Sequence, residues 1–295
     1  MAQIREIKKR MVAVGTIQRI TKTMQMIATA KFTSSLQRAR ATRPYTDKIR
    51  ELVAQMAASG SDDLDDPLVN GVPGAASREL VLVVSSDRGL CGAYNSHVLR
   101  IASRHLASLK ERGVEFELQI VGKKAAGYFA FAGIPSTEHY TFGDNPDFEQ
   151  VADVASNFIS RFASGDFSSV RVVYMKFISN ARQEPELMQL LPMKLDEITD
   201  EQAEAEAASG VTYEFSPSVD EILAALLPRA VKTSLFQAIN DAIVSEQVMR
   251  MIAMKAASDN ATGLGRTLKR DFNRARQSKI TTELTEIVSG AAALD

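Results

Sequence analysis

The 295-residue sequence contains no tryptophan, one cysteine and three histidines. A single thiol, Cys91, excludes an intrachain disulfide framework and a cysteine-rich metal site. The histidines, His97, His105 and His139, are too few for a zinc cluster, and no His-Glu-x-x-His pattern occurs. No run approaches eighteen consecutive apolar residues, so no segment is expected to span a membrane. The first residues, Met1-Ala2-Gln3-Ile4-Arg5-Glu6, lack the unbroken apolar core of a secretory signal. They are amphipathic, Arg/Lys-rich and poor in acids, a composition shared with organelle transit peptides. Net charge is also nearly absent. The 35 basic and 36 acidic residues sum to −1, which excludes a polybasic nucleic-acid binder and a disordered acidic tail.

What is present is segregated. Residues 1–60 carry 12 basic residues against 3 acidic, or +9, and residues 232–295 carry 9 against 7, or +2. The intervening 61–231 hold 14 against 26, or −12. With 45% hydrophobic and 24% charged residues the composition is globular, and the length suggests two domains.

Near the start, apolar residues recur every three or four positions at Ile4, Ile7, Met11, Val14, Ile17, Ile20, Met24 and Ile27, the seam of a helix packed on another helix. The pattern resumes after Arg43-Pro44-Tyr45 through Ile49, Leu52, Val53 and Met56, so a helix of about 55 residues, roughly 80 Å, with a bend at Pro44 is expected. A transit peptide would not hold its register that far. A helix of this length needs a partner of comparable length, and the other end supplies one. Val219, Phe236, Ile239, Ile243, Val248, Met251 and Met254, then Leu264, Leu268, Phe272, Ala275, Ile280, Leu284, Ile287, Ala291 and Leu294, keep helical spacing. The two are expected to pair as an antiparallel coiled coil with the middle of the chain folded at one end. Covering helices on a central domain are the plainer alternative. The last turns, Val288 to Leu294, are small and apolar, which is unusual for a free end in water.

In the middle, residues 61–76 read as linker or loop. Leu80 to Ser85 is a β-branched run typical of a strand buried on both faces, followed by strands at Phe116–Val121 and Val170–Ile178 and a helix at Phe148–Phe162. This is the rhythm of a small parallel, Rossmann-like sheet. Residues 196–210, with the acidic run Asp200 to Glu206, read as a second loose, solvated stretch. The turn Ser85-Ser86-Asp87-Arg88-Gly89-Leu90-Cys91-Gly92-Ala93-Tyr94-Asn95 invites a phosphate-binding reading, since backbone N–H groups at a strand-to-helix turn cradle anions. It has neither dinucleotide nor Walker spacing, and its glycines equally serve the turn itself.

Several segments resemble the F-type ATP synthase gamma-subunit family: Ile20-Thr21-Lys22-Thr23-Met24-Gln25-Met26-Ile27-Ala28-Thr29-Ala30-Lys31, Arg43-Pro44-Tyr45, and Ser86-Asp87-Arg88-Gly89-Leu90-Cys91-Gly92. Toward the other end the matching segments are Ser245-Glu246, Arg250 to Ala261, Arg274-Ala275-Arg276-Gln277, and Ile280 to Ala291. They occur in family order across essentially the whole chain. The resemblance implies an α/β fold in which residues 1–60 and 212–295 form an antiparallel coiled-coil shaft and residues 61–211 a central Rossmann-like α/β domain. It implies a central-stalk rotor with no catalytic site, cofactor or metal of its own, turning inside a ring of three alpha and three beta subunits. The implied further partners are the epsilon subunit and the membrane c-ring, placing the protein peripherally on the cytoplasmic side of a bacterial plasma membrane. Residues matching family positions for beta-subunit contact or coupling are Lys22, Met24, Arg250, Gln277, Thr281 and Glu283. Gly263 and Gly265, inside the C-terminal helix, depart from good helix chemistry by about 2 kcal/mol together. Two other readings are open: a free-standing nucleotide- or phosphate-binding enzyme using Arg88 and Gly89–Gly92, and a membrane-surface helix at residues 1–30.

Overall fold

The structure, a computed structural model, describes residues 2–58, 66–193 and 219–292. The acidic run 200–206 and the last residues of the tip, 293–295, lie outside the described residues, as do 61–65 of the first loop. Contacts within the chain divide it into two units, residues 1–29 with 250–295, and residues 30–249.

The elements, in order, are α1 (Ala2–Ala58), α2 (Pro67–Asn70), β1 (Arg78–Val84), α3 (Tyr94–Glu111), β2 (Glu115–Val121), α4 (Lys123–Phe131), β3 (Glu138–Tyr140), α5 (Phe148–Ala163), β4 (Ser169–Phe177), β5 (Gln183–Leu191) and α6 (Val219–Ala292). At 1.5 Å per residue the 57-residue α1 is about 85 Å long and the 74-residue α6 about 110 Å. Pro44 and Pro228 both lie within these helices.

In the unit formed by residues 30–249 the strands are ordered β3-β2-β1-β4-β5. The first four are parallel, with β1 in step with β2 from Arg78↔Glu115 to Val84↔Val121, while β5 closes the sheet antiparallel to β4. Strand β1 is central and covered on both sides, which is why it reads as an unbroken Leu/Val run rather than an alternation. Leu80, Leu82 and Val84 pack with Phe158 and Phe162 of α5, Ile49 and Val53 of α1, and Leu227, Val231 and Leu235 of α6. Val81 and Val83 pack on the other face with Val98, Leu106 and Leu109 of α3 and Phe129 of α4.

Part of the first loop is ordered. Asp66 accepts a hydrogen bond from Leu68 N at 2.8 Å and caps α2, burying Leu68 in the core, so the linker expected at 61–76 contains a helical turn. Strand β5 was not evident in the sequence because Pro185 removes a ladder donor, which an edge strand tolerates. The crossover into α4 depends on Gly122. Its φ is +89°, and a Cβ there would sit 2.2 Å from Ser85 O, so only glycine fits. One eighteen-residue window in α6 reaches mean hydropathy 1.3, apolar enough by composition to cross a membrane. Half of that window is buried inside the protein, which accounts for its apolar content.

Candidate functional site

The unit formed by the chain ends is a helix pair. On α1 the inward positions are Ile4, Ile7, Met11, Val14, Gln18, Thr21, Gln25 and Ala28, alternating three and four apart without a slip. On α6 they are Met254, Ser258, Ala261, Gly265, Leu268, Phe272, Ala275 and Lys279, with the same alternation. That is a heptad seam on both helices. Gln18 Nε2 donates to Thr262 Oγ1 at 2.9 Å, and Val14 Cγ1 lies 3.9 Å from where a Cβ on Gly265 would sit, so the two helices run antiparallel.

This seam differs from the apolar track read in the sequence. After Val14 the apolar residues step one position ahead of the heptad, to Ile17, Ile20, Met24 and Ile27, whereas the helix contact stays in register. Polar Gln18 and Thr21 therefore enter the seam and are satisfied there, Thr21 by donating to Ile17 O at 2.9 Å. Ile17, Ile20 and Ile27 are left more than half exposed as an outward apolar flank, with Met24 half-buried. Beyond Lys279 the same thing happens on α6. Continued in step, the seam would pass through 282 and 286, so the apolar Ile280 and Ile287 sit one position off it and Leu284 two. All residues from Ile280 to Ser289 are exposed, with Ile287 at 70%. By the register of the pair, Ala2 falls opposite about residue 278, so no part of the described α1 reaches this tip.

The two interior glycines also resolve. Gly263 faces open space, and Gly265 meets only ordinary van der Waals contact. Alanine fits at both, so Gly263→Ala and Gly265→Ala should each stabilise the pair by about 0.5–1 kcal/mol through helix propensity. Thermal unfolding checks this, and a lower melting temperature for Gly265→Ala would show the seam tighter than drawn.

The residues singled out by family resemblance do not converge. Lys22 is exposed, with Nζ 3.4 Å from Gln25 Oε1. Gln277, Thr281 and Glu283 form a second, exposed group on α6, in which Thr281 Oγ1 donates to Gln277 O at 3.1 Å and Glu283 pairs with Lys279 at 3.2 Å. The register puts Lys22 opposite residue 257 or 258, about 30 Å along the axis from Gln277. Arg250 is unlike the rest. It is 9% exposed, not a solvent-facing coil position, so reversing its charge perturbs packing as well as any surface it offers.

The sequence also concealed a basic stripe. Between residues 266 and 279, α6 carries Arg266, Lys269, Arg270, Arg274, Arg276 and Lys279 against Asp271 alone. Averaging over 232–295 to +2 hid it, and counting charge by helical turn would have found it. Arg266, Lys269, Arg270 and Arg274 share the walls of one shallow surface groove with Asn273 and Gln277.

The rival site, in the other unit, is a turn bound to itself. Ser86 N donates to Asn95 Oδ1 at 3.1 Å, Ser86 Oγ to Arg88 O at 2.7 Å, and Lys123 N to Asp87 Oδ1 at 3.1 Å. Cys91 is buried and receives Asn95 Nδ2 at 3.2 Å. Leu90 at φ +64° and Gly92 at φ +59° make the tight turn that brings these groups together. The loop stands at the carboxyl end of β1, beside the point where the strand order reverses, where α/β sheets commonly bind ligands. Yet these polar groups serve the turn.

Comparisons with known proteins agree with the coil and the sheet. A family model described as ATP synthase matches residues 3–294. The ATP synthase gamma chain of Leptospira biflexa is 37% identical over 295 residues, covering all of both chains, and that of an Exiguobacterium strain is 38% identical over 296 residues with the same coverage. Among solved structures, the rotor of the Euglena gracilis mitochondrial ATP synthase aligns with a TM-score of 0.62 at 18% identity, covering 95% of this chain and 99% of that one. The central stalk and c-ring of the Tetrahymena thermophila enzyme gives a chain aligning at 0.58 and 23% identity, covering 81% and 99%. With a full-length family match and relatives this similar along their entire length, the chain belongs to the ATP synthase gamma-chain family.

Proposed function

We propose that this chain is the central-stalk rotor of an F-type ATP synthase, a noncatalytic subunit that couples ion flow through a membrane c-ring to ATP synthesis or hydrolysis on an alpha3beta3 ring. The observation that carries the reading is the outward apolar surface of the helix pair: Ile17, Ile20 and Ile27 on α1 and Ile280, Leu284 and Ile287 on α6. An apolar flank off the seam on α1 and an apolar tip of α6 that the described α1 does not cover call for a surrounding partner. A sleeve that the shaft turns in suits the tip, where the few charges leave few ion pairs to break at each step. The basic stripe at 266–279 and the basic N-terminal arm suit acidic loops on the surrounding subunits, because unlike charges attract at every angle of a turn.

Rotation then acts as an allosteric signal. Each catalytic subunit meets a different face of an asymmetric shaft, and differential contact sets which of its conformations is favoured. Lys22, Met24, Gln277, Thr281 and Glu283 are the surface contacts in this scheme, and Arg250 acts from within the packing. The shaft takes in residues 1–60 and 212–295, and the body 61–211 faces epsilon and the c-ring. The complex in bacteria sits at the plasma membrane, with this subunit peripheral on the cytoplasmic side. No step is assigned to Arg88 or to the turn Gly89–Gly92.

Reconstitution with cognate alpha and beta subunits tests the reading. ATPase activity should appear on adding this chain, and the chain alone should bind no nucleotide at micromolar concentration. Lys22→Glu should lower ATP-driven ion pumping while changing unfolding free energy by no more than about 0.5 kcal/mol. Failure to co-assemble, or turnover by the isolated chain, would reject the rotor role.

A further inference from the structure

The loop between β3 and α5, residues 141–147, touches both long helices at one level. Asp144 accepts from Lys31 Nζ of α1 through Oδ2 and from Gln247 Nε2 of α6 through Oδ1, the latter at 3.1 Å. Its backbone carbonyl accepts from Arg38 NH2 of α1 at 2.8 Å, and the neighbouring Asn145 Oδ1 accepts from Arg38 NH1. One aspartate thus holds two helices that are otherwise separate in sequence by more than two hundred residues.

The loop is itself braced at both ends. Phe142 stacks on Tyr140 with ring centroids 6.1 Å apart and planes 9° apart, and the Tyr140 hydroxyl donates to Gln119 Oε1 on β2 at 2.9 Å. Phe148, the first residue of α5, packs edge-on against Phe236 of α6 at 5.3 Å. Gly143, at φ +67°, supplies the turn that presents Asp144. The guanidinium of Arg38 is committed to the loop at the expense of its Nε, which is buried without a hydrogen-bond partner among the described residues.

We infer that Asp144 is a torque strut: it locks α1 and α6 to the α/β body and to each other, so that twist applied to the body is delivered to both helices together. The inference rests on the rotor role. Partly exposed ion pairs of this kind add little to stability. Their value here is geometric, because one acceptor bridging two helices fixes their axial register where they meet the loop, adding to the packing that they share with the body. Asp144 is therefore a positioning residue, acting through the helices and not on nucleotide.

The test uses the whole synthase, reconstituted in proteoliposomes with the wild-type chain or with Asp144→Ala. The readouts are ATP hydrolysis rate and ions pumped per ATP hydrolysed. Hydrolysis should stay within twofold of wild type while pumping per ATP falls at least threefold. The exchanged pair Asp144→Lys with Lys31→Asp should restore at least half of the lost coupling. If Asp144→Ala does not assemble, Gln247→Ala, which removes the α6 arm and leaves the Lys31 arm in place, should still lower pumping per ATP. An unchanged ratio in the assembling variants would overturn the strut, as would parallel loss of hydrolysis and pumping without rescue by the exchange. If the wild-type chain itself supports no coupled activity, it is the rotor role that fails.

Discussion

Replacing Glu117 with alanine should lower the unfolding free energy by about 3–5 kcal/mol, because it leaves a partly buried arginine pair without its counter-charge. Glu117 on β2 is buried within the sheet. Arg161 of α5 grips it with two hydrogen bonds, NH1 to Oε1 at 2.8 Å and NH2 to Oε2 at 2.9 Å. Arg78 NH2 reaches Oε2 at 3.1 Å, and Gln119 Nε2 and Thr137 Oγ1 donate to Oε1 at 2.9 and 3.1 Å. Arg161 also lies over the Phe167 ring at 4.4 Å, so the pair is packed as well as bonded. The hydrogen bonds from Arg161 hold the Glu117 carboxyl down at about 2 despite its burial, with Gln119 and Thr137 assisting. A carboxyl whose folded pKa is depressed stabilises fully above its unfolded value, near 4.5, and loses that contribution as pH falls toward 2. Glu117→Gln keeps the shape and removes the charge. Urea unfolding should therefore show its deficit largest above pH 5 and shrinking below pH 4. A deficit independent of pH would show that packing, not charge, accounts for the loss.

The same residues explain what was legible in advance. Strand β1 announced itself because a central parallel strand is apolar on both faces, and α5 because its buried positions, Val151, Ala155, Phe158 and Phe162, follow helical spacing. Strand β3 has only three residues, too short for any period to register. Glu117 and Gln119 make β2 look half-exposed, though both are buried and bonded to residues distant in sequence. For the helix pair, length, antiparallel pairing and part of the seam were legible, namely Ile4 to Val14 on α1 and Met254, Leu268, Phe272 and Ala275 on α6, and the seam beyond Val14 was not. Hydrophobic spacing follows Ile17 and Ile20, but continuity of the heptad decides contact, so polar Gln18 went inside. The coupling residues were reached through family resemblance alone. Single exposed residues such as Lys22, Gln277 and Thr281 carry no pattern that distinguishes a partner contact from a solvated position. Arg250 shows the converse, since a charged residue in a helix reads as surface until its neighbours are known.

Asp241→Asn should make the protein more stable at pH 7.5, by about 1–2 kcal/mol. Asp241 of α6 is buried beside a cavity of about 340 Å³. It receives Gln237 Nε2 at 2.9 Å, while the nearest cation, Arg43 of α1, stands 3.6 Å off and is half exposed. Asp47 of α1, Lys176 of β4 and Glu186 of β5 share the cavity wall, and the latter two bond to each other at 3.0 Å. Burial pushes the Asp241 carboxyl up to about 6, with Arg43, Gln237 and Lys176 opposing and Glu186 adding to the rise. Its sign is opposite to that of Glu117. A carboxyl raised above its unfolded value of 3.8 binds a proton more tightly when folded, so the protein gains stability as pH falls from about 6 to 4, by roughly 2–3 kcal/mol. Asparagine is neutral throughout, so the advantage of the variant should vanish by pH 4, where the wild-type carboxyl is protonated. Urea midpoints at pH 7.5 and pH 4 decide it, and a variant less stable at both would mean that the Arg43 pair outweighs desolvation. Because the Glu117 window opens only below about 4.5, these two carboxylates alone place a stability maximum between pH 4 and 5. Asp241→Asn should remove its alkaline flank, and Glu117→Gln its acid one.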